Sequence, residues 1–328
     1  MDAARLSAAA TVVGLFAALV LLVGVPADAQ LPAKPVRIGF LTQAAPTSPN
    51  YHAFKQGLRD VGWIEGRHFT IDHAVADGQV ERLPALAAEF VRQNVDVILA
   101  TALAVDAARA ATRTIPVVFV MGDDPVGVGV VTSLARPGGN MTGFTTLSFD
   151  IEGKRLGLLK EALPAIKRFG VLLNPDLPGA IATRVAVERG AAALGLRPQV
   201  VEVRSPREFE GAINGAGRLD ALLIPGVPFF FNHHVRLAEL TIQTRLPTMA
   251  SWRQFPEAGG LMSYGADVPD LFRRAADYVV RIASGAKVGD LPVQQATKLE
   301  MFINLKTAKG LRLALPQQLI LRADRVIE

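Results

Sequence analysis

Cysteine is absent from all 328 residues. That removes disulfides, thiolate metal ligands and cysteine nucleophiles, along with any lipid anchor that needs a cysteine behind an export signal. Enzyme signatures are missing too. There is no G-x-S-x-G elbow and no Walker-type G-x-x-x-x-G-K-[ST]. The five histidines, His52, His68, His73, His233 and His234, include no H-E-x-x-H and no other metal-ligand spacing. Gly127-Val128-Gly129 lacks the third glycine of a dinucleotide loop. No catalytic residue, metal or cofactor is assigned, although a carboxylate pair brought together by folding stays open. Lys/Arg runs with interleaved aromatics are also lacking, so nucleic acid is not an expected partner.

What is present starts at the N-terminus. Arg5 precedes an uncharged apolar run from Ala8 to Val25, and Ala27-Asp28-Ala29 follows. This is the layout of a cleaved secretory signal over residues 1–29, with a mature chain beginning near Gln30. A single membrane anchor is the alternative, since the run approaches the roughly 20 residues that span a bilayer. No second run is long enough to do so. The periplasm is the expected location. Removing Asp2, Arg5 and Asp28 moves the formal charge from +5 to +6, which bears mainly on solubility. Without disulfides the exported chain must be held by its core, and about 300 residues can build one large or two ordinary domains.

From Val36 onward, short apolar runs alternate with amphipathic ones. Strand patterns at 36–41, 69–75, 96–100 and 115–120 alternate with helical spacing at 51–61, 82–93 and 105–112. A Gly/Pro-rich stretch, 124–143, interrupts this rhythm, and a helical pattern over 150–163 restarts it. Strands at 169–173, 200–203, 221–224, 248–250 and 261–264 then alternate with helices at 180–194, 206–216, 232–244 and 267–284. Such alternation predicts an α/β fold with parallel sheets flanked by helices on both faces. The expected organisation is an N-terminal lobe over 30–150, a C-terminal lobe over 151–295, and a tail with hinge segments over 296–328. Part of that tail can cross back to the first lobe. Within the tail, 296–304 reads as a strand, 307–313 as a short helix and 316–321 as an extended piece.

Ligands of such sheets sit beyond the carboxyl ends of strands. The candidates there are Thr42, Gln43, Thr101, Ala102, Asp123 and Asp124 in the first half. In the second they are Asn174, Gly226, Tyr264 and Asp267. Thr101 lies just before a helix start, where a hydroxyl and free amides suit a carboxylate or an ordinary cap. Either Asp123 or Asp124 can cap a helix beginning at Pro125, and Asp267 can cap the next helix or face a ligand. Trp252, Tyr264 and Phe229-Phe230-Phe231 offer stacking surface; three consecutive Phe cannot all face one core.

The stretch Met121-Gly122-Asp123-Asp124-Pro125-Val126-Gly127, with Arg136-Pro137-Gly138-Gly139-Asn140-Met141-Thr142-Gly143-Phe144, resembles a known family. Gly57-Leu58, Gly62-Trp63-Ile64-Glu65-Gly66 and Pro116-Val117-Val118-Phe119 fit it as well. The family is that of ABC-transporter substrate-binding proteins of the tryptophan/tyrosine-uptake type. The resemblance implies two Rossmann-like lobes joined by hinge crossovers, closing on a small molecule such as an amino acid or an aromatic or carboxylate compound. Delivery to an inner-membrane ABC permease is implied, and a monomer is expected because the lobes must open freely. The resemblance also adds Asn140 and Thr142 to the first wall. An exported sensor for a membrane receptor, or a periplasmic α/β enzyme, are the other classes open to this pattern.

Overall fold

The structure is a computed structural model and describes residues 34–43, 48–77, 79–146, 151–177 and 179–328. The expected signal over 1–29 lies outside the described residues. The first run of elements is β1 (Val36–Thr42), α1 (Pro49–Asp60), β2 (Phe69–Val75), α2 (Leu83–Arg92), β3 (Val97–Thr101), α3 (Ala104–Ala111), β4 (Val117–Met121) and β5 (Met141–Thr145). The second is α4 (Glu152–Ala162), β6 (Arg168–Leu173), α5 (Ala180–Ala193), β7 (Arg197–Glu202), α6 (Phe209–Gly215), β8 (Ala221–Ile224), α7 (Pro228–Phe231), α8 (His234–Gln243), β9 (Thr248–Ala250), α9 (Gln254–Glu257) and β10 (Met262–Ala266). The chain closes with α10 (Val268–Ala283), β11 (Gln294–Gln295), β12 (Leu299–Asn304), α11 (Leu305–Gly310), α12 (Gln317–Leu321) and β13 (Arg325–Ile327).

Two sheets result, ordered β11-β5-β4-β3-β1-β2 and β13-β12-β10-β9-β8-β6-β7. Each contains the same 2-1-3-4-5 core order. β3 and β4 are buried almost throughout because helices cover both faces. One face of the first sheet packs on α1 and α10, the other on α2 and α3. The second sheet is covered by α4, α5 and the C-terminal tail on one face and by α6 to α9 on the other.

The helix assigned from sequence to the C-terminal lobe belongs to the other one. α10 buries Leu271, Phe272, Tyr278, Val279 and Ile282 in the cluster built by β1, β3, β4 and α1. At about 1.5–3 kcal/mol for each large apolar side chain, this face fixes the helix to the first sheet. β11 then pairs in parallel with β5. The expected lobe boundary at 295 is therefore displaced. Residues 268–295 complete the first lobe, and the tail from Leu299 re-enters the second.

The second sheet is not wholly parallel either. β12 pairs antiparallel with β10. Strands β6 to β10 point their carboxyl ends at the cleft between the lobes. A chain returning from that side with no intervening helix must run the other way. The expected extended piece at 316–321 is α12 instead, with Pro316 at its N-cap, where a missing N–H is harmless. Among the described residues no helix is long and apolar enough to cross a membrane.

The contact between α1 and α10 depends on one glycine. A Cβ on Gly57 of α1 would lie 2.2 Å from the Arg273 carbonyl oxygen of α10. Gly157, in α4, has open space around the same position. We expect Gly57→Ala to destabilise by about 1–3 kcal/mol through overpacking. Gly157→Ala should instead stabilise by roughly 0.5–1 kcal/mol through helix propensity. Chemical denaturation of the two variants checks the opposite signs.

Candidate functional site

A cavity of about 200 Å³ lies between the lobes at the carboxyl ends of the strands. That is below the roughly 300–1,000 Å³ of drug-sized pockets, so it suits a small metabolite. In the first lobe it sits at the switch point, where β1 is flanked by β2 on one side and β3 on the other. Thr42 and Gln43 follow β1; Thr101 and Ala102 follow β3. The Thr101 hydroxyl donates to the Thr42 hydroxyl at 3.0 Å, joining the two strand ends. Ala102 adopts φ +48°, unusual for a residue with a side chain, and this tight turn starts α3 two residues later. The free-amide end of α3 therefore abuts this wall. The Gln43 Nε2 is enclosed and finds no hydrogen-bond partner among the described residues.

Each lobe contributes one aromatic pair to the lining. Phe40 and Phe272 stack with ring centroids 6.3 Å apart in the first lobe. Phe231 and Trp252 meet edge-on at 5.5 Å in the second. Of the three consecutive phenylalanines, Phe230 is buried in the core and Phe231 reaches the cavity.

Four charged residues also line it: Arg155, Arg253, Asp267 and Glu300. Arg155 and Glu152, in the first turns of α4, are 1% and 0% exposed and pair at 2.5 Å. Arg155 Nε donates to the Tyr264 carbonyl at 2.7 Å. Burial pushes the Glu152 carboxyl up and the Arg155 guanidinium down, while their mutual attraction opposes both shifts. On the other side Lys298 reaches Asp267 at 2.6 Å and Glu300 at 3.2 Å. Arg253 lies 3.8 Å from Glu300. Taken with their ion-pair partners among the described residues, the charges comprise three cations (Arg155, Arg253, Lys298) and three anions (Glu152, Asp267, Glu300), so this described set sums to zero. Close approach of the strands keeps the floor compact: a Cβ on Gly265 would lie 2.0 Å from the Ser251 carbonyl.

Of the residues expected from sequence, Thr42, Gln43, Thr101, Ala102, Gly226 and Asp267 line this cavity. Thr101 is not a helix cap; the N-cap position of α3 is Leu103. Asp267 caps α10, accepting from the Asp270 N–H at 3.2 Å, and also faces the cavity. The others lie elsewhere. Asn140 precedes β5 at the amino end of the strand, away from the cleft, and its Nδ2 donates to the Ile115 carbonyl at 2.7 Å. Thr142 is buried inside β5 and donates to the Leu291 carbonyl at 2.6 Å. Asp124 closes a turn by accepting from the Val126 N–H at 3.0 Å, and residues 125–129 form turns instead of the expected helix. Asp123 is half-buried beside Gly122, which does line the cavity. Asn174 borders a separate, smaller cavity with Thr183 and Phe230. Tyr264 contributes its carbonyl to Arg155 while its side chain packs on the second-lobe core. The sequence reading did not single out Arg155, Arg253, Glu300, Phe40 or Phe272.

Removing one partner of the buried pair leaves an uncompensated charge. We expect Arg155→Met to cost about 3–5 kcal/mol and the double change with Glu152→Gln to cost less than Arg155→Met alone; denaturation of both variants checks the order. Asp123 gives a pH signature. Burial, and then the nearby Asp106, push its carboxyl above the ordinary 3.8. A raised carboxyl value means the charged form is disfavoured by folding. Asp123→Asn should therefore stabilise at neutral pH, and the gain should vanish as pH falls below that ordinary value. Melting curves from pH 3 to 8 read this directly.

Known proteins share this architecture. A conserved domain protein from Vibrio cholerae is 27% identical, with TM-score 0.82 over 89% of this chain and all of its own. An ABC domain in complex with L-Trp from Streptococcus pneumonia superposes with TM-score 0.82 at 24% identity, covering 90% of this chain and 100% of that one. A tyrosine-binding protein from Clostridioides difficile (strain R20291) is 29% identical over 264 residues, 79% of this chain and 75% of that protein. Residues 46–327 match the sequence profile described as "ABC transporter substrate binding protein", and the chain belongs to that family of binding proteins.

Proposed function

We propose that this protein captures an aromatic L-amino acid between its lobes for an ABC importer. One observation carries the reading: a small cavity whose charges, among the described residues, sum to zero and whose two walls each present an aromatic pair. A zwitterion with an aromatic side chain matches both properties. The names of two similar proteins, one binding tyrosine and one bound to L-Trp, support the same class. In this reading the ligand carboxylate takes the unpartnered Gln43 amide and the end of α3. The ammonium lies toward Asp267 and Glu300, and the ring goes between Phe40/Phe272 and Phe231/Trp252.

The lobes are linked by three crossovers, β5 to α4, β10 to α10 and β11 to β12. Thr146, Arg155, Asp267 and Glu300 place parts of all three on the cavity wall. Ligand favours the closed form by the contacts it makes only there. Export by a signal over residues 1–29, action as a periplasmic monomer and hand-over to an inner-membrane permease complete the proposal.

A thermal-shift series on the chain from Gln30 tests it, with L-tryptophan, L-tyrosine, L-phenylalanine, L-leucine and a sugar panel. A ligand at 100 times its dissociation constant adds about 2.7 kcal/mol to stability. We expect the aromatic L-amino acids to raise the midpoint and sugars to leave it unchanged. No rise with any of the three aromatic acids overturns the reading.

A further inference from the structure

Lys298 does not line the cavity, and its side chain is 57% exposed. Its position is nevertheless set by the sheet. The β10–β12 ladder continues past the Ala266–Leu299 pair, where the Asp267 N–H donates to the Lys298 carbonyl at 3.1 Å. Alternation along the strand puts Lys298 and Glu300 on the same side. One ammonium therefore touches two carboxylates that both face the cavity. Those carboxylate side chains are only 9% and 14% exposed.

Without Lys298, the inventory among the described residues would be two cations against three anions. We propose that Lys298 is a positioning residue that acts through Asp267 and Glu300, an internal counter-ion that keeps the cavity neutral and so makes it choose a zwitterion over the matching amine. This rests on the amino-acid reading of the same cavity. An amine without a carboxylate brings an unbalanced positive charge into a partly desolvated neutral site. An acid without an amine brings an unbalanced negative one. Only the zwitterion adds no net charge, and uncompensated charge is what desolvation penalises. The two hydrogen bonds hold the lysine above its usual value, so it stays charged throughout the neutral range.

The test is calorimetric binding of tryptophan, tryptamine and indole-3-propionate to wild type, Lys298→Met, Glu300→Gln and Lys298→Arg. Lys298→Met should move the amine-over-acid preference toward tryptamine by about 3- to 10-fold, a range limited by solvent screening at this exposed side chain. Glu300→Gln should move it toward indole-3-propionate by a similar factor, and Lys298→Arg should restore the wild-type preference. Both shifts should shrink as salt is raised. If Lys298→Met and Glu300→Gln weaken all three ligands by one common factor, the lysine is only structural and the proposal is overturned. Tryptophan binding with the same preference in wild type and Lys298→Met overturns this proposal alone. A wild type that binds none of the three compounds overturns the amino-acid reading and takes this one with it.

Discussion

The direction of the strands constrains everything else in this molecule. β1, β3, β4 and β5 in one lobe and β6, β8, β9 and β10 in the other run parallel within their sheets and end at the cleft. The chain passes between the lobes at that end, so Thr146, Asp267 and Glu300, at or beside the three passages, lie on the cavity wall. The same constraint turns β12 antiparallel and sends α10 back across the first sheet. On the proposed reading, residues at the crossovers are thus neighbours of residues that touch the ligand. Contact energy need not travel through either core to reach the hinge.

The fully buried Glu152–Arg155 pair fits this arrangement better than it fits a stability argument. Replacing such a pair by apolar groups of equal volume is often neutral or favourable. What the pair supplies is a cation on the cavity wall whose charge is cancelled from behind, immediately after the first crossover. The Lys298–Asp267–Glu300 group does the converse on the opposite side, with anions on the wall and the cation behind. Polarity is present on the cavity wall, while the charges of the described residues there sum to zero.

Much of this was legible in the sequence because strand interiors and loop ends differ so sharply in composition. Val97-Ile98-Leu99-Ala100 and Val117-Val118-Phe119-Val120 could only be interior strands, and the loop rule then placed Thr42, Gln43, Thr101 and Gly226 at the cleft. The misplacements have physical causes. An amphipathic pattern cannot say which sheet a helix covers, so α10 went to the wrong lobe. Asn140 and Thr142 were added by resemblance, although the strand rule puts Asn140 at the far end. A signal for Arg155 did exist: Glu152, Arg155, Leu156 and Leu159 fall at i, i+3, i+4 and i+7, which places two charges on the apolar stripe of α4. Glu300 had no comparable signal, since its exposure depends on an antiparallel partner far away in sequence.

The distribution of the aromatic pairs completes the argument by tying affinity to closure. An aromatic side chain buries about 150–250 Å², equivalent to roughly 4–6 kcal/mol at 25 cal/mol per Å². An open protein offers one pair, and so about half of that surface, on either lobe. On the proposed reading closure adds the second pair, a differential of about 2–3 kcal/mol that shifts the open–closed equilibrium roughly 30- to 160-fold. The neutral charge set does not enlarge this number much, because its groups already have partners. On the proposed reading it bears on which ligand binds: a ring carried by an unbalanced charge meets a desolvation cost that a zwitterion avoids. On the proposed reading, affinity for the closed state and selectivity for a zwitterion therefore come from different residues of the same cavity.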